Sequence, residues 1–156
     1  MTKDEEFMAK AIELSAASVA HGNEPFGAVL VKDGEIVYTN ENQIYTRNDP
    51  AFHGETGLIR RFNAETGIVD LSDYTLYSST EPCFMCSGYM VWYKLGRLVY
   101  AAGNDDLLAI LGNPNGCNCS KMVFDNSAWH PQVTTGVLRE QAVEVLKSYF
   151  GKHEEK

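Results

Sequence analysis

Hydrophobic and polar positions along the chain switch between a helical period and a strand period. From about Thr2 to His21 the period is helical, with Met8, Ile12, Ser15 and Val19 marking one face. Thr2 and Glu5 have capping-box spacing, and Asp4, Glu5 and Glu6 suit the positive end of a helix dipole. Two β-rich runs then flank Asp33-Gly34 in GAVLVKDGEIVYTN, a two-residue hairpin signal. The polar stretch ENQIYTRNDP leads to a second helix, from about Phe52 or His53 to Glu65. TLYSS reads as a strand and feeds TEPCFMCSGYMVWYKL, a helix apolar on nearly every side and therefore expected to be buried. RLVYAA is a further strand, NDDLLAIL a short helix, GNPNGCNC a loop, QVTTG a last short strand and LREQAVEVLKSYF a closing amphipathic helix. This order predicts an α/β design, with helices on both faces of a mixed sheet.

The chain shows no internal repeat, low-complexity tract or linker, so residues 1–156 are expected to form a single domain. The acidic, amphipathic N-terminus does not have the form of a secretory signal. No apolar run approaches the roughly 20 residues that span a bilayer. A cytoplasmic protein without membrane association is the expectation. The formal net charge of -8 lacks the basic surplus of a nucleic-acid binder, which points to a small-molecule substrate instead.

Two clusters carry candidate chemistry. The first is His53-Gly54-Glu55; the second is Pro82-Cys83-Phe84-Met85-Cys86. Cys83 and Cys86 stand three apart at a helix start and so share a face, where the helix N-terminus favours thiolates. One imidazole and two thiolates make three protein ligands for Zn2+, one ion per chain. The fourth position is left for water or hydroxide, the mark of a catalytic site. Glu55 shares a face with Leu58, Ile59 and Phe62, which places a carboxylate among apolar neighbours. Burying it unpartnered costs several kcal/mol, and a proton-shuttling role beside the metal supplies a reason. The pattern H-x-E…P-C-x-x-C is the general signature of zinc deaminases.

PFGAVLVKDG, NDP, HGE and TEPCFMC resemble the cytidine-deaminase-like superfamily from about residue 5 to 105, and most of all the small bacterial guanine deaminases. The resemblance implies a three-layer α/β/α sandwich around a mainly five-stranded mixed sheet, and a homodimer. It implies zinc on His53, Cys83 and Cys86, with Glu55 as the catalytic proton carrier. It places Phe26, Asn42, His53 and Trp92 against the substrate. The implied activity is that of a zinc-dependent aminohydrolase acting on the C–N bond of a cyclic amidine, with a guanine-like purine favoured. Two segments depart from the guanine-deaminase pattern. LLAILGNPNGCNC has no acid where those enzymes carry an assisting aspartate, and HPQVTTGVLREQAVEVLKSYF is more similar to tRNA adenosine deaminases.

Rival readings are a cytosine, amino-pyrimidine or nucleoside deaminase, a tRNA adenosine deaminase, a non-catalytic zinc-binding interaction domain, and a dithiol redox protein built on Cys83 and Cys86. Phe26 and Trp92 alternatively belong to core or interface, and Asn42 to a turn. Cys117 and Cys119 are expected to have no chemical role. His21, His130 and His153 read as surface or helix-end residues, Arg60 with Arg61 as a solvated face, and Asp105 with Asp106 as helix-start acids.

Overall fold

A computed structural model describes residues 1–113 and 118–153. Cys117 and the side chain of His153 lie outside the described part. The elements are α1 (Lys3–Ala20), β1 (Gly27–Lys32), β2 (Glu35–Glu41), α2 (Gly54–Thr66), β3 (Thr75–Thr80), α3 (Phe84–Trp92), β4 (Arg97–Ala102), α4 (Asn104–Ile110), α5 (Cys119–Asp125), β5 (Gln132–Thr135) and α6 (Arg139–His153). The five strands form one mixed sheet in the order β2-β1-β3-β4-β5. β1 pairs antiparallel with β2 and β3, and β4 pairs parallel with β3 and β5.

The alternation within each central strand builds the layers. Ala28, Leu30, Leu76 and Leu98 point to one face, where they meet Leu58, Ile59 and Phe62 of α2 and Met90 of α3. Val29, Val31, Tyr77, Val99 and Ala101 point to the other, against Phe7, Met8 and Ala11 of α1 and Ala142 and Leu146 of α6. The chain is therefore the expected α/β/α sandwich. Its central strands lack polar alternation because both faces are covered.

Local chemistry sets the boundaries. Thr2 caps α1 through its hydroxyl while the Glu5 carboxylate accepts from the Thr2 amide. Asp33 and Gly34 both take positive φ, 52° and 76°, as a two-residue hairpin turn of matching twist requires. α2 stops at Gly67, whose left-handed backbone lets its amide reach Asn63 O. Gly27 permits close approach of α1 to β1: a Cβ there would lie 2.2 Å from Ala11 O.

Several expectations are corrected. α3 is not buried all round: Cys86, Ser87 and Met90 face inward, while Phe84 is 50% exposed and Trp92 86% exposed. A helix on the outer layer of a sandwich has one side on the sheet, and its far side is covered only if something else packs there. α3 also ends earlier, at Trp92 with Tyr93 as its C-cap, and Lys94 adopts positive φ. α5 was not anticipated, because CSKMVFD is too short to declare a period. The buried face of α1 runs through Phe7, Met8, Ala11, Ser15 and Ser18, rotated from the predicted stripe, because it packs against a sheet that also accepts small residues. Arg61 is not simply solvated: it donates to Asn40 Oδ1 and lies over the Tyr38 ring.

Candidate metal centre and cavity

Two helix starts converge at the site. His53 is the N-cap of α2 and Cys83 the N-cap of α3, both with extended backbone. The His53 amide donates to Thr56 Oγ1 at 3.1 Å, and that hydroxyl donates to Ala51 O at 2.6 Å. Thr56 thus holds the entry to α2 and leaves the imidazole to face the cysteines. Asn40 Nδ2 donates to Gly54 O at 3.0 Å, which pins this helix start to the end of β2. Cys83 arrives from the other side, carried on the turn that leaves β3.

His53 Nδ1 lies 3.6 Å from Cys83 Sγ and 3.6 Å from Cys86 Sγ. With Zn–S near 2.3 Å and Zn–N about 2.0–2.1 Å, tetrahedral angles place a nitrogen and a sulfur ligand about 3.5–3.6 Å apart. The ligand atoms of the three residues all lie within 4.8 Å of one another. The donor set therefore fits one zinc ion.

The electrostatics agree with a cation there. Cys83 is pulled down to about 4, first by the Cys86 thiol and also by His53. Cys86 is pushed up by Cys83 and by its own burial, so the sulfurs share one negative charge until a cation removes the second proton. His53 is raised, chiefly by Cys83. Glu55 is 5% exposed and its carboxyl is raised to about 7, by burial first and the Cys83 charge next, with His53 opposing.

A cavity of about 280 Å³ opens beside these groups. His53, Glu55 and Cys83 form one wall, and Phe26, Leu107 and Phe150 close the apolar side. This volume is near the lower limit of small-molecule sites, about 300 Å³. Phe150 comes from α6 of the same chain, so the C-terminal helix closes its own site.

Asn42 and Trp92, which the resemblance also placed against the substrate, are not among the lining residues. Asn42 is buried, but its Oδ1 accepts from the Ile44 amide at 3.1 Å and it does not line the cavity. Trp92 stands at the exposed end of α3, away from the lining. Thr80, Glu81, Asn104, Leu107 and Leu111 line the cavity without having been singled out from the sequence. For Glu81 a signal existed: it is an acid immediately before Pro82-Cys83. Its Oε1 accepts from the Asn104 amide at 3.0 Å, and its Oε2 from the Ser120 hydroxyl at 2.6 Å and the Ser120 amide at 3.3 Å. One buried carboxylate thereby ties the starts of α4 and α5 to the metal-bearing turn. Asp106, expected to favour a helix start, accepts from the Gly103 amide and pairs with Arg139 of α6.

A mixed sheet between helical layers, with an imidazole and two thiolates around one tetrahedral position and a buried carboxylate beside them, defines a zinc-dependent hydrolytic class of α/β protein. Comparison with known proteins makes this specific: residues 1–102 match the model of the cytidine and deoxycytidylate deaminase zinc-binding region, and the chain belongs to that family. A guanine deaminase of Bacillus subtilis (strain 168) is 41% identical over 103 residues, 65% of this chain and 66% of that protein. A tRNA-specific adenosine deaminase of Streptococcus pyogenes serotype M1 is 29% identical over 145 residues, 92% of this chain and 81% of that protein. A solved guanine deaminase structure from Nitrosomonas europaea superposes with a TM-score of 0.80 at 28% identity, over 94% of this chain and 84% of that one. The family's metal is zinc, and His53, Cys83 and Cys86 all fall within the matched region.

Proposed function

We propose that the protein hydrolyses the exocyclic amino group of a free nucleobase, with guanine favoured, and releases ammonia. The observation that carries this is the buried Glu55 carboxylate facing the same small cavity as His53 and Cys83. When bound, the zinc supplies a Lewis-acidic centre at which water becomes nucleophilic near neutral pH. Glu55, buried beside the metal donors and lining the same cavity, is placed both to accept the water's proton and to return protons to the ring nitrogen and the departing amine. Phe26 and Phe150 offer apolar faces that exclude bulk water and favour a flat ring. The similarity to guanine deaminases supports the choice of base.

The test is ammonia release from guanine, cytosine, adenine and their nucleosides by the zinc-loaded protein. Guanine is expected to be turned over fastest, and Glu55→Gln to reduce its turnover by about 10²–10⁴-fold with zinc retained. Full loading with zinc and no turnover of any member refutes the proposal.

A second reading has one observation behind it: the similarity to tRNA adenosine deaminases extends over 145 residues, into the C-terminal part. The net charge of -8 counts against a polyanionic substrate. Deamination of a tRNA anticodon stem-loop, assayed in parallel, decides between them.

We further infer a homodimer formed through α3. Phe84 and Trp92 present a large apolar surface on its outer side, and Met122 of the adjoining α5 is 50% exposed. A tryptophan so exposed can meet a substrate only across such an interface. Among the described residues no helix is long and apolar enough to cross a membrane. A reducing, cytoplasmic setting suits this reading, because zinc binding needs Cys83 and Cys86 as thiolates and not as a disulfide.

A further inference from the structure

Asn40, the penultimate residue of β2, is buried and has both ends of its side-chain amide in use. Nδ2 donates to Gly54 O at 3.0 Å, while Oδ1 accepts from Arg61 Nη1 and from Gln43 Nε2, each at 3.2 Å. The end that faces two N–H donors can only be the oxygen, so the NH2 group is turned to α2. Gln43 Oε1 in turn accepts from Arg47 Nε at 2.7 Å, and the Arg47 guanidinium lies 4.2 Å from the centre of the Phe52 ring. The network grips the entry to α2 on both sides of His53.

A glycine inside α2 makes room for this contact. A Cβ at Gly57 would lie 2.6 Å from Asn40 Nδ2 and 2.5 Å from Phe52 Cε1. Glycine in a helix interior is unfavourable relative to alanine. Here it lets the Asn40 amide and the Phe52 ring come up against the first turn.

The carbonyl that Asn40 holds matters because of what shares its peptide plane. Gly54 C=O and Glu55 N–H belong to one rigid unit, so an oxygen fixed from β2 fixes the Glu55 amide and the direction in which the Glu55 side chain leaves the helix. The same amide donates to the Glu55 carboxylate. Glu55 lines the cavity with His53 and Cys83, whereas Asn40 is not among the lining residues. Asn40 can therefore act on the chemistry only through Glu55 or the donors, and not by touching a substrate.

We propose that Asn40 is a positioning residue for the deamination step: through the Gly54–Glu55 peptide it holds the Glu55 carboxylate at the angle from which it moves protons. The inference deepens the deaminase reading and rests on it for the step that Glu55 performs. Placement of a reacting group to within a fraction of an ångström carries much of the rate in a preorganised site.

Two variants break the contact by different routes. Asn40→Asp keeps an acceptor for Arg61 and Gln43 but sets an oxygen against Gly54 O. Gly57→Ala leaves Asn40 intact, adds no charge and drives a methyl against Nδ2; if it fails to fold, Asn40→Leu, also uncharged, takes its place. In the zinc-loaded full chain each is expected to lower kcat for ammonia release from guanine by at least about tenfold, with KM within about threefold of the parent and zinc fully retained. Asp4→Asn, which loosens α1 outside the cavity, is the control for lost stability: its thermal midpoint should fall while kcat stays within about twofold of the parent. An unchanged kcat in zinc-loaded Asn40→Asp overturns the proposal. So does a loss of zinc that parallels the loss of kcat, which assigns the effect to the donors, and so does an effect that the uncharged variant does not share. Crystal structures of the zinc-loaded parent and Asn40→Asp read the positioning itself. The Glu55 carboxylate is expected to shift by about 1 Å while His53, Cys83 and Cys86 keep their places; an unmoved carboxylate overturns the proposal. A shifted carboxylate in a protein whose parent turns over no base overturns the deaminase reading and leaves the hold of Asn40 on Glu55 standing.

Discussion

Phe150 packs against Phe26 over the metal cavity, with ring centroids 6.1 Å apart and planes inclined at 47°. One ring enters from the loop before β1, the other from the last helix of the same chain. The contact limits what a substrate ring can carry on the side away from the metal. Phe150→Ala is expected to raise the nucleoside-to-base ratio of kcat/KM by at least about tenfold, chiefly by admitting the larger molecule. Steady-state kinetics on guanine and guanosine check this; an unchanged ratio means that the mouth is set elsewhere.

Asp4 ties α1 to the sheet. Its carboxylate receives both Arg97 Nη1 and Nη2, at 2.9 and 2.7 Å, and the Tyr77 hydroxyl at 2.6 Å. The Arg97 hydrogen bonds hold its carboxyl below the usual range. A carboxyl depressed on folding contributes stability above its unfolded value, about 3.9, and loses it as pH falls through the folded value below that. Asp4→Asn is expected to cost about 1–2 kcal/mol at pH 7, discounted for partial exposure. The difference from the parent should close below about pH 4. Urea unfolding at pH 7, 5 and 3 measures it; a pH-independent difference argues for lost packing instead.

The exposed side of α3 bears on assembly. Trp92→Glu places a charge where the dimer proposal needs a dry apolar contact, and it is expected to shift the sedimenting species to monomer at micromolar concentration. The chain's own fold should survive, because Trp92 makes no part of either core. Sedimentation velocity of parent and variant decides it. A parent that is already monomeric removes the interface.

Two glycines near the site are expected to behave oppositely. A methyl at Gly54 would stand 3.4 Å from Phe26 O, an ordinary contact, so Gly54→Ala should retain zinc and change the thermal midpoint little. At Gly27 it would stand 2.2 Å from Ala11 O and 2.7 Å from the Ser15 amide, and both are backbone atoms that move only with α1. Gly27→Ala is expected to destabilise by about 1–3 kcal/mol, as overpacking does. Thermal melts of both variants, with zinc content, test the contrast.

Periodicity and turn chemistry made most of the elements legible, because each is a local effect: Thr2 with Glu5, Asp33 with Gly34, and Gly67 as a stop. The metal donors were legible for the same reason, since His53-Gly54-Glu55 and Cys83 to Cys86 each keep their spacing within a helix turn. α5 was not, because seven residues beside a polar loop declare no period. Nor was the exposed side of α3, because hydropathy reports what a surface prefers and not whether a partner covers it.

From the sequence alone came the donors, the carboxylate among apolar neighbours and the layered α/β design. Only the tertiary structure could bring His53 within 3.6 Å of two sulfurs thirty or more residues away, or place Phe150 of the last helix over the same cavity. It alone seated Asn42 Oδ1 on the Ile44 amide and left Thr80 Oγ1 and Asn104 Nδ2 without a hydrogen-bond partner. The physical reason is range. Spacing encodes contacts within a turn or a hairpin, whereas the partner of a buried polar atom is decided by which distant segments the packed sheet brings to its edge.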